Sequence, residues 1–189
     1  MTTYKCLSKE IFQQDNYSIV PIREQDIESI RIWRNEQIKI LRQKKLLSQQ
    51  EQIDYFNNVI KKTFESENPD CILFSFLLDT NCIGYGGLVH INWNLKSAEI
   101  SLLTETSRSN NAKIYENDFK IFLKLIFQVA FFDLCFDKLT TETYDFRKLT
   151  IKILENQGFK FQKRLSKNVF KESKFFDSIF HEIKKSALD

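Results

Sequence analysis

Glu99 stands within Ala98–Thr104, AEISLLT, a run with the look of a buried strand. Burying a lone carboxylate costs several kcal/mol unless it is paired. Two uses offset that cost. A carboxylate on a buried strand, reaching through water, can accept a proton from a nucleophile. Alternatively it forms an ion pair with an Arg or Lys on the same sheet face. His90 is a second group of this kind, since an imidazole needs no tuning to work near neutral pH; a satisfied surface or core histidine is the plainer reading. His90 lies in Cys82–Trp93, CIGYGGLVHINW, which also holds three of the chain's four glycines, Gly84, Gly86 and Gly87. Glycine weakens a strand because it packs nothing and fixes a flexible backbone. Its compensation is space for a ligand or a bulky neighbour, or a bulge relieved by packing from Tyr85.

The elements that must position these residues are readable from periodicity and punctuation. Tyr17–Ile22 reads as a strand, and Ile27, Ile30 and Trp33 recur at helical spacing within Arg23–Glu36. Ser48-Gln49-Gln50-Glu51 is a capping box opening a helix with Ile53, Phe56, Val59 and Ile60 on one face. Cys71–Leu78, Cys82–Trp93 and Ala98–Thr104 form an antiparallel meander. Thr106–Asn111 is a polar loop before a long helix, Lys113–Leu134. Lys138–Thr143 is a strand, Arg147–Asn156 a helix stopped by Gly158, and Phe159–Leu165 with Phe175–Ile183 a closing hairpin. The reading is therefore α+β, with a mixed, mostly antiparallel sheet of about seven strands and about four helices. Residues 1–16 form an N-terminal extension and 17–189 a single domain.

Composition narrows the function. With 189 residues, 42% of them hydrophobic and 18 phenylalanines, one aromatic-rich core is expected. A net charge of +3 is far from the basic stripe of a nucleic-acid binder. Neither a signal peptide nor an apolar run long enough to span a bilayer is apparent, so a cytoplasmic protein without membrane or nucleic-acid partners is expected. The four cysteines lack metal spacing, and Cys71, Cys82 and Cys135 read as reduced core residues. No metal is expected.

The element order and several segments resemble the GNAT superfamily of acyl-CoA N-acyltransferases, over about Tyr17–Ile183. IGYGG resembles that family's third strand, AEISLL its fourth, and ILENQGF (Ile153–Phe159) its most specific signature. The Ile22–Asn35 segment ending in WRN, and FFDSIFHEI, are similar to the ribosomal-protein and nucleotide-amino-sugar acetyltransferase subgroup. The resemblance implies a cleft where the fourth and fifth predicted strands splay apart. It implies direct acetyl transfer from acetyl-CoA to a primary amine, and a monomer or homodimer. The acceptor would be a nucleotide-linked amino sugar; the alternatives are a protein N-terminus, a small amine, or a degenerate domain that only binds.

The same resemblance assigns roles. Glu99 becomes the general base, and the backbone amides of Leu102, Leu103 and Thr104 hold the acyl carbonyl and pantetheine. The pyrophosphate loop falls on Arg108, Ser109, Asn110, Asn111, Ala112 and Lys113, which contain none of the family's glycines; Asn110 and Asn111 tolerate left-handed dihedrals and imitate the turn, or the segment is an ordinary polar loop and cap. The place of a common thiolate-protonating Tyr is held by Leu154, leaving Tyr144 and Thr150 as candidates, with Arg147 able to meet a phosphate. Trp33, Arg34, Arg42, His90 and Trp93 fall on the acceptor side, Arg34 and Arg42 as ligands for a nucleotide diphosphate or as solvated charges.

Overall fold

The computed structural model describes residues 3–188. Eight strands make one sheet: β1 (Phe12–Gln14), β2 (Tyr17–Pro21), β3 (Ile72–Leu78), β4 (Asn81–Asn92), β5 (Ser97–Thr104), β6 (Lys138–Tyr144), β7 (Lys160–Lys171) and β8 (Lys174–Lys184). Their spatial order is β1-β2-β3-β4-β5-β6-β8-β7. Every pair is antiparallel except β5 with β6. The eighth strand comes from the segment read as an extension: Phe12–Gln14 pairs with β2, and Tyr4 is fully buried, its hydroxyl donating to the Leu73 carbonyl at 2.8 Å.

The helices are α1 (Ile27–Glu36), α2 (Gln49–Tyr55), α3 (Lys61–Phe64), α4 (Thr106–Ser109), α5 (Ala112–Phe127) and α6 (Lys148–Asn156). Ser48 and Glu51 form both halves of the expected capping box on α2. A π-helical turn, Phe56–Ile60, joins α2 to α3, and another, Gln128–Asp133, extends α5. The latter covers the rest of the long helix read at Lys113–Leu134. Cys135 is exposed rather than in the core, since the chain turns there through a left-handed residue at φ 54°.

Side chains of successive strand residues point to opposite faces. Tyr85 meets Arg34 of α1, whereas the neighbouring Gly86 meets Phe122 of α5. Helices α1 and α5 therefore cover opposite faces, with the sheet between them. The α5 face is packed with phenylalanines: the rings of Phe76 and Phe122 lie 5.3 Å apart, edge to face.

That packing explains the glycine-rich strand. A Cβ on Gly86 would sit 2.1 Å from the Ser101 carbonyl oxygen and 2.9 Å from the Phe122 ring. Gly87 has φ +152°, and a Cβ there would meet the Ile72 carbonyl at 2.0 Å. The glycines make room for neighbouring backbone and an aromatic ring, not for a ligand. Gly86→Ala should destabilise the fold by about 1–3 kcal/mol, the usual cost of overpacking. Chemical denaturation would check this; an unchanged midpoint would contradict it.

Candidate active site

Strands β5 and β6 are in register over only three pairs: Ser97 with Lys138, Ala98 with Leu139 and Glu99 with Thr140. Beyond Glu99 they part. β5 stays on β4 up to Thr104, while β6 stays on β8 up to Tyr144. The wedge between them is a cavity of about 490 Å³. It reaches both sides of the sheet, since its lining includes Arg34 and Tyr85 on the α1 side and Tyr115, Thr150 and Leu154 from α5 and α6. The expected splayed cleft is therefore present, with Glu99 at its apex.

Backbone polarity along β5 follows from its register. The Glu105 amide donates to the Ile83 carbonyl at 2.8 Å, and Leu103 and Ser101 lie opposite Tyr85 and Gly87. Bonded and non-bonded positions alternate in an antiparallel pair. Glu99, Ser101 and Leu103 thus give their main-chain groups to β4, Ile100 gives its amide to Thr140 of β6 in the last parallel pair, and Leu102 and Thr104 turn theirs toward the open side. The Thr104 carbonyl accordingly accepts from the Gln37 side-chain amide at 2.8 Å. Of the three amides expected in the cleft, those of Leu102 and Thr104 face it. Leu103 does not.

Glu99 projects to the α1 side, where it meets a guanidinium. Arg42, in the connection after α1, donates to Glu99 Oε1 at 2.8 Å and also to Glu142 of β6. Its other terminal nitrogen lies 3.2 Å from His90 Nε2. His90 is exposed and left-handed, φ 51°, at the bulge where the β4–β5 register shifts. Ser178 donates to the second oxygen of Glu142 at 2.6 Å. Burial pushes the Glu99 carboxyl above its ordinary range, and the guanidinium of Arg42 opposes this only in part. Burial works against the Arg42 charge too, but Glu99 and Glu142 more than restore it. Glu142 was as legible as Glu99, since it sits inside the strand read at Lys138–Thr143; a pairing that needs two strands and a loop leaves no local pattern.

On the other side, Thr150 and the Tyr115 hydroxyl are 3.0 Å apart, and Arg147 donates to the same hydroxyl at 2.9 Å. Tyr144, two residues after Glu142 on β6, lines the cavity back on the α1 side, and burial first, then Glu142, raises its pKa and keeps it protonated. Tyr115 carries no motif of its own; only helical spacing from Phe119 and Phe122 brings it to the cavity.

Other expected site residues are placed elsewhere. Trp33 is buried in the core. Trp93 packs edge to face on Phe136 at 5.3 Å and donates its indole N–H to the Pro69 carbonyl at 3.0 Å. Both are absent from the cavity wall because burial of their rings is better satisfied in the apolar layers. Arg34 lines the cavity, bound to the Tyr85 hydroxyl and, at 3.1 Å, to Gln43.

The segment 108–113 also departs from expectation. Short helix α4 consumes its amides: Ser109, Asn110 and Asn111 donate to the carbonyls of Glu105, Thr106 and Arg108. Asn111 then caps α5, its side chain accepting from Lys113 and Ile114 at 3.2 Å. Arg108 is tied to Asp118, which is wholly buried, through two hydrogen bonds of 2.7 and 2.9 Å. Asp118 accepts a further bond from Tyr17 at 3.1 Å. Ala112 and the side chains of Ser109, Asn110 and Lys113 make no such bonds among the described residues of this loop.

Comparison with known proteins places this architecture. Residues 19–180 match the family model described as an acetyltransferase (GNAT) domain. No curated protein matches the chain. Among solved structures, spermidine N-acetyltransferase from Vibrio cholerae in complex with CoA and spermine is 17% identical, with a TM-score of 0.79 over 93% of this chain and 100% of that one. A dodecameric form of that enzyme is 16% identical, with a TM-score of 0.78 over 93% and 97%. A GCN5-related N-acetyltransferase from Brucella melitensis is 15% identical, with a TM-score of 0.70 over 99% and 84%. At these identities the structural likeness speaks to the fold.

The Arg108–Asp118 pair gives a structural expectation. Arg108→Ala leaves a buried carboxylate without its cation and should cost about 3 kcal/mol of stability. Urea denaturation measures this; a loss below about 1 kcal/mol, the scale of an exposed pair, would contradict the assignment.

Proposed function

We infer function from the premise that the chain belongs to the GNAT acetyltransferase family: it is an acetyl-CoA-dependent N-acetyltransferase, and we propose that its acceptor is a small cationic amine. The observation that carries the proposal is the composition of the acceptor side of the wedge. Glu99, Glu142 and Asp70 line the cavity. The cations beside them are already committed, Arg34 to Tyr85 and Gln43, and Arg42 to the two glutamates. Among the described residues lining that side, three carboxylates face two guanidiniums, and only Arg34 is without a carboxylate partner to offer a nucleotide diphosphate. This weighs against the amino-sugar acceptor suggested by WRN and the closing hairpin. The Vibrio cholerae enzyme whose complex contains spermine points the same way.

Acetyl-CoA supplies an acetyl group activated as a thioester. The residues present fit it: the Leu102 and Thr104 amides turn to the open side of β5 and would donate to its polar groups, the thioester carbonyl among them. A carbonyl held by fixed donors is polarised before reaction begins. The phosphates would meet side-chain charge, from Lys113 and Arg147, more than the amide cradle of a glycine loop. The closed α4 turn takes that cradle's place.

An acceptor amine is protonated at neutral pH and must lose a proton to attack. Glu99, with its elevated pKa, accepts that proton, directly or through water. His90 stands by as the next carrier toward solvent. On the far side of the sheet, the Thr150–Tyr115 pair offers hydroxyl donors to the departing thiolate, while Tyr144 stands on the α1 side beside Glu142. Leu154 in the usual Tyr position makes the wall apolar there.

Acceptor preference is tested by steady-state acetylation of spermidine, a simple monoamine, a peptide N-terminus and a nucleotide-linked amino sugar. The highest kcat/KM should fall on the small cationic amines; preference for the sugar nucleotide or the peptide would overturn the proposal. Glu99→Gln should lower kcat about 100-fold or more while sparing acetyl-CoA affinity. As pH falls through its elevated pKa, Glu99 takes up a proton and loses its function. The acid limb of kcat/KM should therefore lie above the ordinary glutamate value of about 4.3 and vanish in Glu99→Gln. An unchanged limb in that variant removes Glu99 from proton transfer.

A further inference from the structure

The contact between Arg42 and the two glutamates has a composition unlike an ordinary structural ion pair. Glu99 and Glu142 belong to two different strands at the point where those strands part, and their side chains are 19% and 12% exposed. Arg42 is 50% exposed and sits in residues 41–47, which form neither helix nor strand. That connection is anchored beside Arg42 rather than through it. Asn35 bonds both main-chain groups of Leu47 at 2.8 Å, and Lys171 donates to the Ile38 carbonyl at 3.0 Å. The side chain of Arg42 can therefore leave without moving the loop.

We propose that Arg42 is a displaceable occupant of the acceptor subsite: its guanidinium holds the place between Glu99 and Glu142 that a protonated amino group of the acceptor takes, and it swings out when the acceptor enters. The inference rests on the reading of the acceptor as a cationic amine. The reason is an asymmetry of solvation. A half-exposed guanidinium returns to water at little cost, but two carboxylates in the cavity wall cannot both be left unpaired. Arg42 leaves only in exchange for another cation. The site is thereby closed to neutral and anionic molecules and open to amines, so Arg42 selects acceptors by charge. Its departure also frees Glu99 from the guanidinium that opposes its proton affinity, at the moment an ammonium arrives to be deprotonated.

Calorimetry with spermidine, without acetyl-CoA, compares the wild type with Arg42→Gln and Arg42→Lys, and the same proteins are assayed for spermidine acetylation. If the acceptor-competent state is a tenth of the wild-type population, removing the plug should tighten spermidine binding about tenfold; the lysine variant, which keeps a cation in reach, should stay near the wild type. Equal or weaker binding by Arg42→Gln overturns the proposal. The arms separate the two claims. Tighter binding by the variant without acetylation sustains the plug and sinks the proposed acceptor. Acetylation with affinity unmoved sustains the acceptor and sinks the plug. Should Arg42→Gln not fold, the wild-type Arg42 Nε–H resonance serves: it should lose its protection as spermidine saturates the protein, and a resonance unmoved at saturation overturns the proposal.

Discussion

Everything at this site depends on β5 and β6 being unable to remain paired. β5 is committed to β4 along its whole length and β6 to β8 along its own. The two halves of the sheet are joined by three parallel pairs ending at Glu99. Sheet twist carries the halves apart past that hinge, leaving main-chain amides on β5 with no strand to satisfy them. Such groups are costly when buried, so a parted sheet leaves donors that a ligand can satisfy. The wedge also lets one cavity meet both faces, with carboxylates on one and tyrosine and threonine hydroxyls on the other.

The charges divide along the same line. On the α5 side, the buried Asp118 is fully answered by Arg108 and Tyr17 and serves to order the turn before α5. On the α1 side, Glu99 and Glu142 share one partly exposed guanidinium. The first is a closed account that stabilises the fold. In the second, burial outweighs the single cation and Glu99 stays inclined to hold a proton. A carboxylate poised in this way suits proton transfer better than one locked in a complete pair.

Much of this was legible before any coordinates. Alternation and turn residues located seven of the eight strands, and the capping box at Ser48 located α2. Glu99 stood out because a charge interrupts an apolar strand. β1 was missed because three residues, FQQ, are too few for a period to register. The glycines of β4 were noticeable, but only tertiary packing shows that Phe122 and adjacent backbones, rather than a ligand, need their space. Arg108 and the loop after it were misleading for a related reason: a resemblance in position says nothing of Asp118, ten residues on, which holds that guanidinium. Trp33 and Trp93 carry large apolar areas, and burial claimed them. Arg42 looked like part of a solvated run because the carboxylates it meets lie 57 and 100 residues away.

Amide hydrogen exchange along β5 tests the central claim most directly, because it reads each main-chain donor by itself. In the free protein the amides of Leu102 and Thr104 should exchange much faster than those of Ser101 and Leu103, and saturation with acetyl-CoA should slow the fast set. Uniform protection of all four in the free protein, or a fast set indifferent to acetyl-CoA, would mean that the strands do not part as described or that the opening does not hold the thioester.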